Sequence, residues 1–261
     1  LAGGLTTAVL QSSSATTVMA IGFVSAGLMT LPQAISIILG ANIGTTITAQ
    51  LIAFQIGDYA WTFVVIGFIM YFFIKEENIV NIGQTIFGFG MLIIGINIMG
   101  NTMEPLAAAP EFANIMMSVK DIPVLGVVIG AVSTAVVQSS SAVIAVIQNL
   151  ASKAGPDGVT RVIGLSGALP ILYGSNIGTT ITAIFASIGG TVNAKRAAAA
   201  HTIFNIVGSV IFMFFITPFS KFIQYISPSG AELAVISRQI ANAHMFFNII
   251  NTVIWLPFIW L

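Results

Sequence analysis

Two polar words interrupt apolar runs of this chain, and each occurs twice. Gln11-Ser12-Ser13-Ser14 returns as Gln138-Ser139-Ser140-Ser141, followed by alanine both times. GANIGTTITA (40–49) returns as GSNIGTTITA (174–183), with Ser175 in place of Ala41 as the single difference. Serine hydroxyls compete for nearby backbone groups, so three in a row make poor helix interior. A helix restarting after such a stop offers free N–H groups and the positive end of its dipole, which suits an oxyanion. Ser12, Ser13, Ser139 and Ser140 are the candidate anion ligands. Asn42 and Asn176 shape the second word or cap its half-helix.

The same words carry neutral oxygens. Ser175, Thr179 and Thr182 stand at i, i+4 and i+7, one stripe of a helix, and Gln138 and Ser139 could face them. Five oxygens without a carboxylate suit a weakly held Na⁺, whereas Ca²⁺ and Mg²⁺ sites recruit carboxylates. The first copy offers Gln11, Thr45 and Thr48, but Ala41 removes one oxygen. The expectation is two unequal sodium sites, the second-copy site tighter. Serine, threonine and glycine in membrane helices most often serve packing. Packing alone does not call for two words repeated with such identity, and paired broken helices are the mark of a shared transport site.

The elements that position these words must lie in a bilayer. Only 6% of residues are charged, 57% are hydrophobic and mean hydropathy is +1.02. A soluble domain averages about a quarter charged residues. The charges sit at segment edges or in loops, which excludes a basic nucleic-acid surface. The absence of cysteine excludes disulfides and thiolate metal sites. The fold class is all-α polytopic. Uninterrupted runs at 61–74, 82–100, 197–218 and 236–261 read as spanning or near-spanning helices. The runs at 3–29, 31–56, 122–150 and 162–189 are cut by the polar words into half-helices or re-entrant hairpins, as backbone breaks at membrane depth must line a cavity. The organisation reads as a first repeat with connecting helices (1–100), a linker (101–121) and a second repeat ending in two long helices (122–261). The seven extra residues of the second copy fit the SKAGPDG loop (152–158). The first copy lacks the helix that precedes the second, so the visible chain is expected to start inside its first repeat. A basic loop at 193–196 against the acidic Asp58 favours inverted repeats.

Paired QSSS words, each followed by G-[AS]-N-I-G-T-T, resemble the sodium-dependent phosphate cotransporter family, the type II Na⁺/phosphate group and its bacterial relatives. The resemblance spans nearly all of the chain. It implies an inverted-repeat fold, inorganic phosphate as substrate, Na⁺ as coupling ion and no organic cofactor. It also implies import by alternating access and, for a bacterial relative, residence in the inner membrane. It places Gln138, Ser139, Ser175, Thr179 and Thr182 around one Na⁺.

His201 and His244, the only histidines, share the pattern A-x-x-x-H-x-x-F-N. Two histidines without carboxylates make a poor transition-metal site, so the expected role is a buried imidazole hydrogen-bonded across packed helices. The adjacent alanine run suits close helix contact, including a homodimer interface. Three other functions bear on the same residues. Na⁺-coupled transport of another oxyanion, a dicarboxylate or sulfate, fits the same site. A serine hydrolase lacks any base beside QSSS. A channel shares the broken helices.

Overall fold

The computed structural model describes residues 1–54, 56–154 and 163–259. Most of the SKAGPDG loop lies outside them. In chain order the helices are α1 (Ala2–Leu10), α2 (Ser13–Ser25), α3 (Leu31–Gly44), α4 (Thr46–Ala53), α5 (Ala60–Phe73), α6 (Glu77–Ala108) and α7 (Pro110–Asp121). Then follow α8 (Pro123–Val137), α9 (Ser140–Ala151), α10 (Leu165–Gly178), α11 (Thr180–Ser187), α12 (Val192–Phe214), α13 (Ile216–Ile226) and α14 (Glu232–Trp255). Among the described residues, four stretches are long and apolar enough to cross a membrane: Leu31–Ala53, Glu77–Ile98, Leu165–Ser187 and Val192–Phe214.

Each QSSS word does stop its helix. Gln11 and Gln138 take the left-handed conformation, at φ 54° and 59°, and close α1 and α8. Ser12 and Ser139 are extended, and their Oγ atoms accept from the N–H groups of Ala15 and Ala142 at 3.1 and 3.2 Å. These are N-caps, which satisfy one orphan donor of the new helix. Nine residues of straight helix would span about 13 Å, yet the Thr7 hydroxyl donates to Thr16 Oγ1 at 2.9 Å. The chain therefore folds back at the first word.

The GxNIGTT words behave differently from expectation. Gly40 to Gly44 lie within α3 and Gly174 to Gly178 within α10. Thr45 and Thr179 keep helical angles, φ −65° and −63°, so the backbone bends there without a new, free helix end. The reason is local. The hydroxyls of Thr46 and Thr180 donate back to the carbonyls of Ile43 and Ile177 at 2.7 Å, a bond that bends a helix without stopping it. The glycines serve close packing. A Cβ on Gly130 would strike the Ile171 carbonyl, and one on Gly174 the Val127 carbonyl. The contacts ascend together, Gly126 with Pro170, Gly130 with Ser175 and Thr134 with Gly178, so α8 and α10 run parallel. Gly3 against Ile37, Gly4 against Gly40 and Thr7 against Gly44 set α1 on α3 the same way.

The expected terminal helices become α12 and α14, joined through α13. Phe204 meets Trp255 (6.4 Å between ring centroids), Gly208 meets the Asn251 amide, and Phe212 meets Phe247 (4.9 Å). One number falls as the other rises, so the two helices cross antiparallel. The Ser209 hydroxyl donates to the Tyr173 carbonyl of α10, and the Thr252 hydroxyl to the Leu39 carbonyl of α3. Leu39 and Tyr173 are equivalent residues of the two words, and Ser209 and Thr252 are 43 apart, as are His201 and His244. The helix that braces the first word is thus α14, far along the chain from it.

Candidate functional site: two serine turns facing one cavity

The two serine turns meet although 127 residues separate them. Thr45 Oγ1 lies 3.3 Å from Ser141 Oγ. A cavity of about 40 Å³ is lined by Gln11, Ser12, Ser13, Ser14, Thr45, Gln138, Ser139, Ser140 and Ser141. Four of the candidate serines, Ser12, Ser13, Ser139 and Ser140, line it. So do Ser14 and Ser141, which the sequence reading passed over. Their place in the first turn of α2 and α9 was the available signal, since first-turn N–H groups lack intrahelical acceptors. With Ala15 and Ala142 capped, the remaining first-turn N–H groups belong to Ser13, Ser14, Ser140 and Ser141. Two helix N-termini and several hydroxyls without any nearby carboxylate make this chemistry suited to an anion.

Asn42 and Asn176 are buried and do not line the cavity. Their side-chain N–H groups donate to the carbonyls of Ile38 and Leu172, each at 2.9 Å, one turn back in their own helices. They neither cap a half-helix nor reach the serines.

The cation candidates divide by copy. Gln138 Oε1 accepts from the Thr182 hydroxyl at 2.9 Å, and Gln11 Oε1 accepts from the Thr48 hydroxyl at 2.6 Å. Each glutamine N–H group is fixed to its own helix, on the carbonyls of Ala135 and Ala8 at 2.6 Å. The oxygen is therefore what each glutamine presents. The Thr179 hydroxyl donates to the Asn176 carbonyl at 2.6 Å, which leaves its lone pairs available.

Ser175 Oγ is fully buried and has no hydrogen-bond partner among the described residues. Thr134 Oγ1 shares that condition. A Cβ on Gly178 would lie 2.7 Å from the Thr134 Cβ, and one on Gly130 2.9 Å from the Ser175 nitrogen. Thr134 thus packs on α10 between Ser175 and Thr182, one turn below Gln138. A buried hydroxyl left unpaired costs about 1–3 kcal/mol, so two on facing helices call for an explanation. The sequence reading missed Thr134. Its spacing of four from Gln138 put it on the same stripe. In the first copy the Thr134 counterpart, Thr7, is satisfied by Thr16, and Ala41 removes the second hydroxyl.

His201 and His244 are buried, and His201 Nδ1 and both His244 ring nitrogens lack partners among the described residues. The expected ring hydrogen bond across helices is not formed at these atoms. Asn205 and Asn248 instead donate to the histidine carbonyls, each at 2.9 Å. Among the described residues no group of three His, Cys, Asp or Glu could hold a metal ion.

Comparison with known proteins adds the decisive observation. The family model Na⁺/Pi-cotransporter matches residues 1–101 and 95–228. The chain belongs to that family. It is 34% identical over 226 residues to the Bacillus subtilis protein YqeW, covering 87% of this chain and 71% of that one. It is 26% identical over 229 residues to the putative inorganic phosphate export protein YjbB of Salmonella typhimurium, covering 88% and 41%. The chain thus spans less than half of that relative. Over 57 residues it is 49% identical to human sodium-dependent phosphate transport protein 2B, covering 22% of this chain and 8% of that one. No solved structure matches. Membership makes this an integral membrane protein of a phosphate- and sodium-transport family, in the inner membrane for a bacterial chain, and sets aside the hydrolase reading.

Proposed function

We propose that this Na⁺/Pi-cotransporter carries inorganic phosphate in symport with Na⁺, inward wherever the Na⁺ gradient points inward. The observation that carries this reading is the single cavity shared by both serine turns, with an oxygen-only cluster beside the second. Phosphate is held by the hydroxyls of Ser12, Ser13, Ser139 and Ser140, joined by Ser14, Ser141 and the first-turn N–H groups. Na⁺ is held by Gln138, Ser139, Ser175, Thr179 and Thr182, with Thr134 as a further oxygen whose lack of a partner among the described residues supports its inclusion. Gln11, Thr45 and Thr48 make at most a weaker counterpart. No transition metal enters this reading.

A cation beside the serine cavity offsets the charge of the anion, so each ligand raises the affinity for the other. Repeats of opposite orientation (1–100 and 122–261, joined by 101–121) supply the alternating access, a reading supported by the antiparallel crossing of α14, which braces the first word, and α12, which braces the second. The word export in the name of YjbB is compatible with the same chemistry, because a symporter follows its net gradient. A homodimer and bound lipid complete the proposed setting.

The test is ³²P-phosphate uptake into proteoliposomes. Uptake should require Na⁺ outside, fail with K⁺, and reverse when the Na⁺ gradient is reversed. Phosphate movement indifferent to Na⁺ rejects the coupling. Competition by succinate or sulfate as strong as by arsenate rejects phosphate as the substrate.

A further inference from the structure

A polar pocket of about 360 Å³ opens at the C-terminal end of α9, the end remote from the serine cavity. Asn97, Gln148, Asn149, Ser152 and Ser237 supply its polar lining. Among the described residues no carboxylate, lysine or arginine lines it. Gln148 is 1% exposed, and both of its side-chain N–H groups are spent, on the carbonyls of Ala49 at 3.1 Å and Ser237 at 3.0 Å. Turning the amide over would set its oxygen against those two carbonyls, so the orientation is fixed. Its Oε1 is left without a partner among the described residues. The Ser152 hydroxyl donates to the Gln148 carbonyl at 2.9 Å, which leaves its lone pairs for the pocket. The last carbonyls of α9 and the negative end of its dipole lie at the same place. Neutral oxygens without a carboxylate suit a weakly held, partly hydrated monovalent cation.

The pocket leads toward the serine turns. Gln50 meets Asn242, and Leu39 meets Thr252, so α14 runs antiparallel to α3 and α4. Thr45, which touches Ser141, falls between those two levels, and so do His244 and Asn248. Both ring nitrogens of His244 and the Oδ1 of Asn248 are buried without partners among the described residues. Unsatisfied polar atoms therefore extend along α14 from the pocket to the level of the serine cavity.

The twin end of the molecule is closed. Gln148 near the end of α9 meets Ser237 near the start of α14, and Ser25 at the end of α2 meets Thr191 at the start of α12. Because α12 and α14 cross antiparallel, α2 and α9 end on opposite sides of the bundle. The counterpart of Gln148 is Ile21 and that of Ser237 is Ala194, both buried in one apolar cluster. The counterpart of Ser152 is Ser25, whose Oγ accepts from the Thr191 N–H at 3.3 Å. One side presents oxygens and an opening, and the other a seal.

We propose that the pocket at the end of α9 is an outer Na⁺ site, which holds the coupling ion before it reaches the serine turns. It rests on the Na⁺ coupling proposed above and is separate from the cluster around Ser175.

The chain has no cysteine, so Asn149→Cys places a single thiol in the pocket of the detergent-purified protein. The probes are a cationic and an anionic methanethiosulfonate of similar size, with rates referred to a free thiol in solution. The cationic reagent should react about tenfold faster. Na⁺ in place of N-methylglucamine, at equal ionic strength, should slow it severalfold. That slowing should persist in Ser175→Ala, which weakens the inner site, and vanish in Gln148→Met. Ser152→Ala, which removes a lining oxygen outside the core, should weaken it in the same direction and serves where Gln148→Met fails to fold. Ser25→Cys, at the sealed end, should react severalfold more slowly and show no Na⁺ effect. Equal rates for the two reagents, or no slowing by Na⁺, overturns the proposal. Slowing that disappears in Ser175→Ala also overturns it, because the protection then comes from the inner site. Phosphate uptake indifferent to Na⁺ rejects the coupling but leaves the labelling rates unchanged, so the two failures are told apart.

Discussion

At the first serine turn the Thr7 hydroxyl donates to Thr16. At the second, Val143 stands where Thr16 would be, and the Thr134 hydroxyl is buried without a partner among the described residues. Ala41 faces the first turn where Ser175, also unpartnered, faces the second. The two copies share their backbone: left-handed glutamine, capping serine, parallel partner helix on glycine contacts. They differ in whether the polar atoms behind the turn are closed by protein. Under the proposed function, the turn closed by its own hydroxyls needs no ion to stabilise it, and the one left open takes Na⁺. The comparison teaches that duplication supplied one scaffold twice, and that two or three side chains decide whether the polar atoms behind each turn are closed.

The comparison can be broken most severely at its shared scaffold. Gly174→Val is expected to remove folded protein, since the new side chain meets the Val127 carbonyl and overpacking of this kind costs about 1–3 kcal/mol or more. Gly40→Val should do the same through Gly4, and yield of monodisperse protein measures both. Unequal survival of the two would show that the copies differ in structure as well as chemistry.

Ser175→Ala comes next. Loss of one charged-partner oxygen, about 1.5–3 kcal/mol, should raise half-saturating Na⁺ roughly tenfold or more, with a smaller change for phosphate. Thr45→Ala should move Na⁺ affinity much less. Equal losses in Na⁺ titrations of uptake would remove the asymmetry of the sites.

Val143→Thr makes the second turn resemble the first. Thr134 then gains a neutral partner, and half-saturating Na⁺ should rise severalfold while the melting temperature in the absence of Na⁺ holds or rises. A neutral hydrogen bond of about 1 kcal/mol sets that scale. The converse, Thr16→Val, should lower stability by a similar amount without improving Na⁺ affinity, because Ala41 still lacks its hydroxyl. The smallest effect belongs to the bracing bonds. Ser209→Ala and Thr252→Val should each cost about 0.5–1.5 kcal/mol, read as matching shifts in melting temperature.

Much of the site was legible in the letters. The duplicated QSSS announced two helix stops, because local hydroxyl competition decides that matter within a few residues. The candidate serines follow from their place just after the helix stop, and one-turn spacing aligns Ser175, Thr179 and Thr182 on one stripe. The GxNIGTT words were misread as breaks, because threonine back-bonding to its own helix also satisfies their carbonyls. Asn42 and Asn176 were misplaced for the same reason, their amides being engaged one turn back. Thr134 carried no site role in the letters, since a threonine in an apolar run gains meaning only from what fails to face it.

The sequence by itself determined the bilayer setting, the two serine turns and the family. These depend on composition and on contacts within a turn or two. Only the tertiary structure decided that both turns open on one cavity and that α14 braces the first word. It also decided which hydroxyls find partners. The shared cavity and the α14 brace depend on residues 96 to 213 apart, and no local propensity fixes which distant helix packs on which.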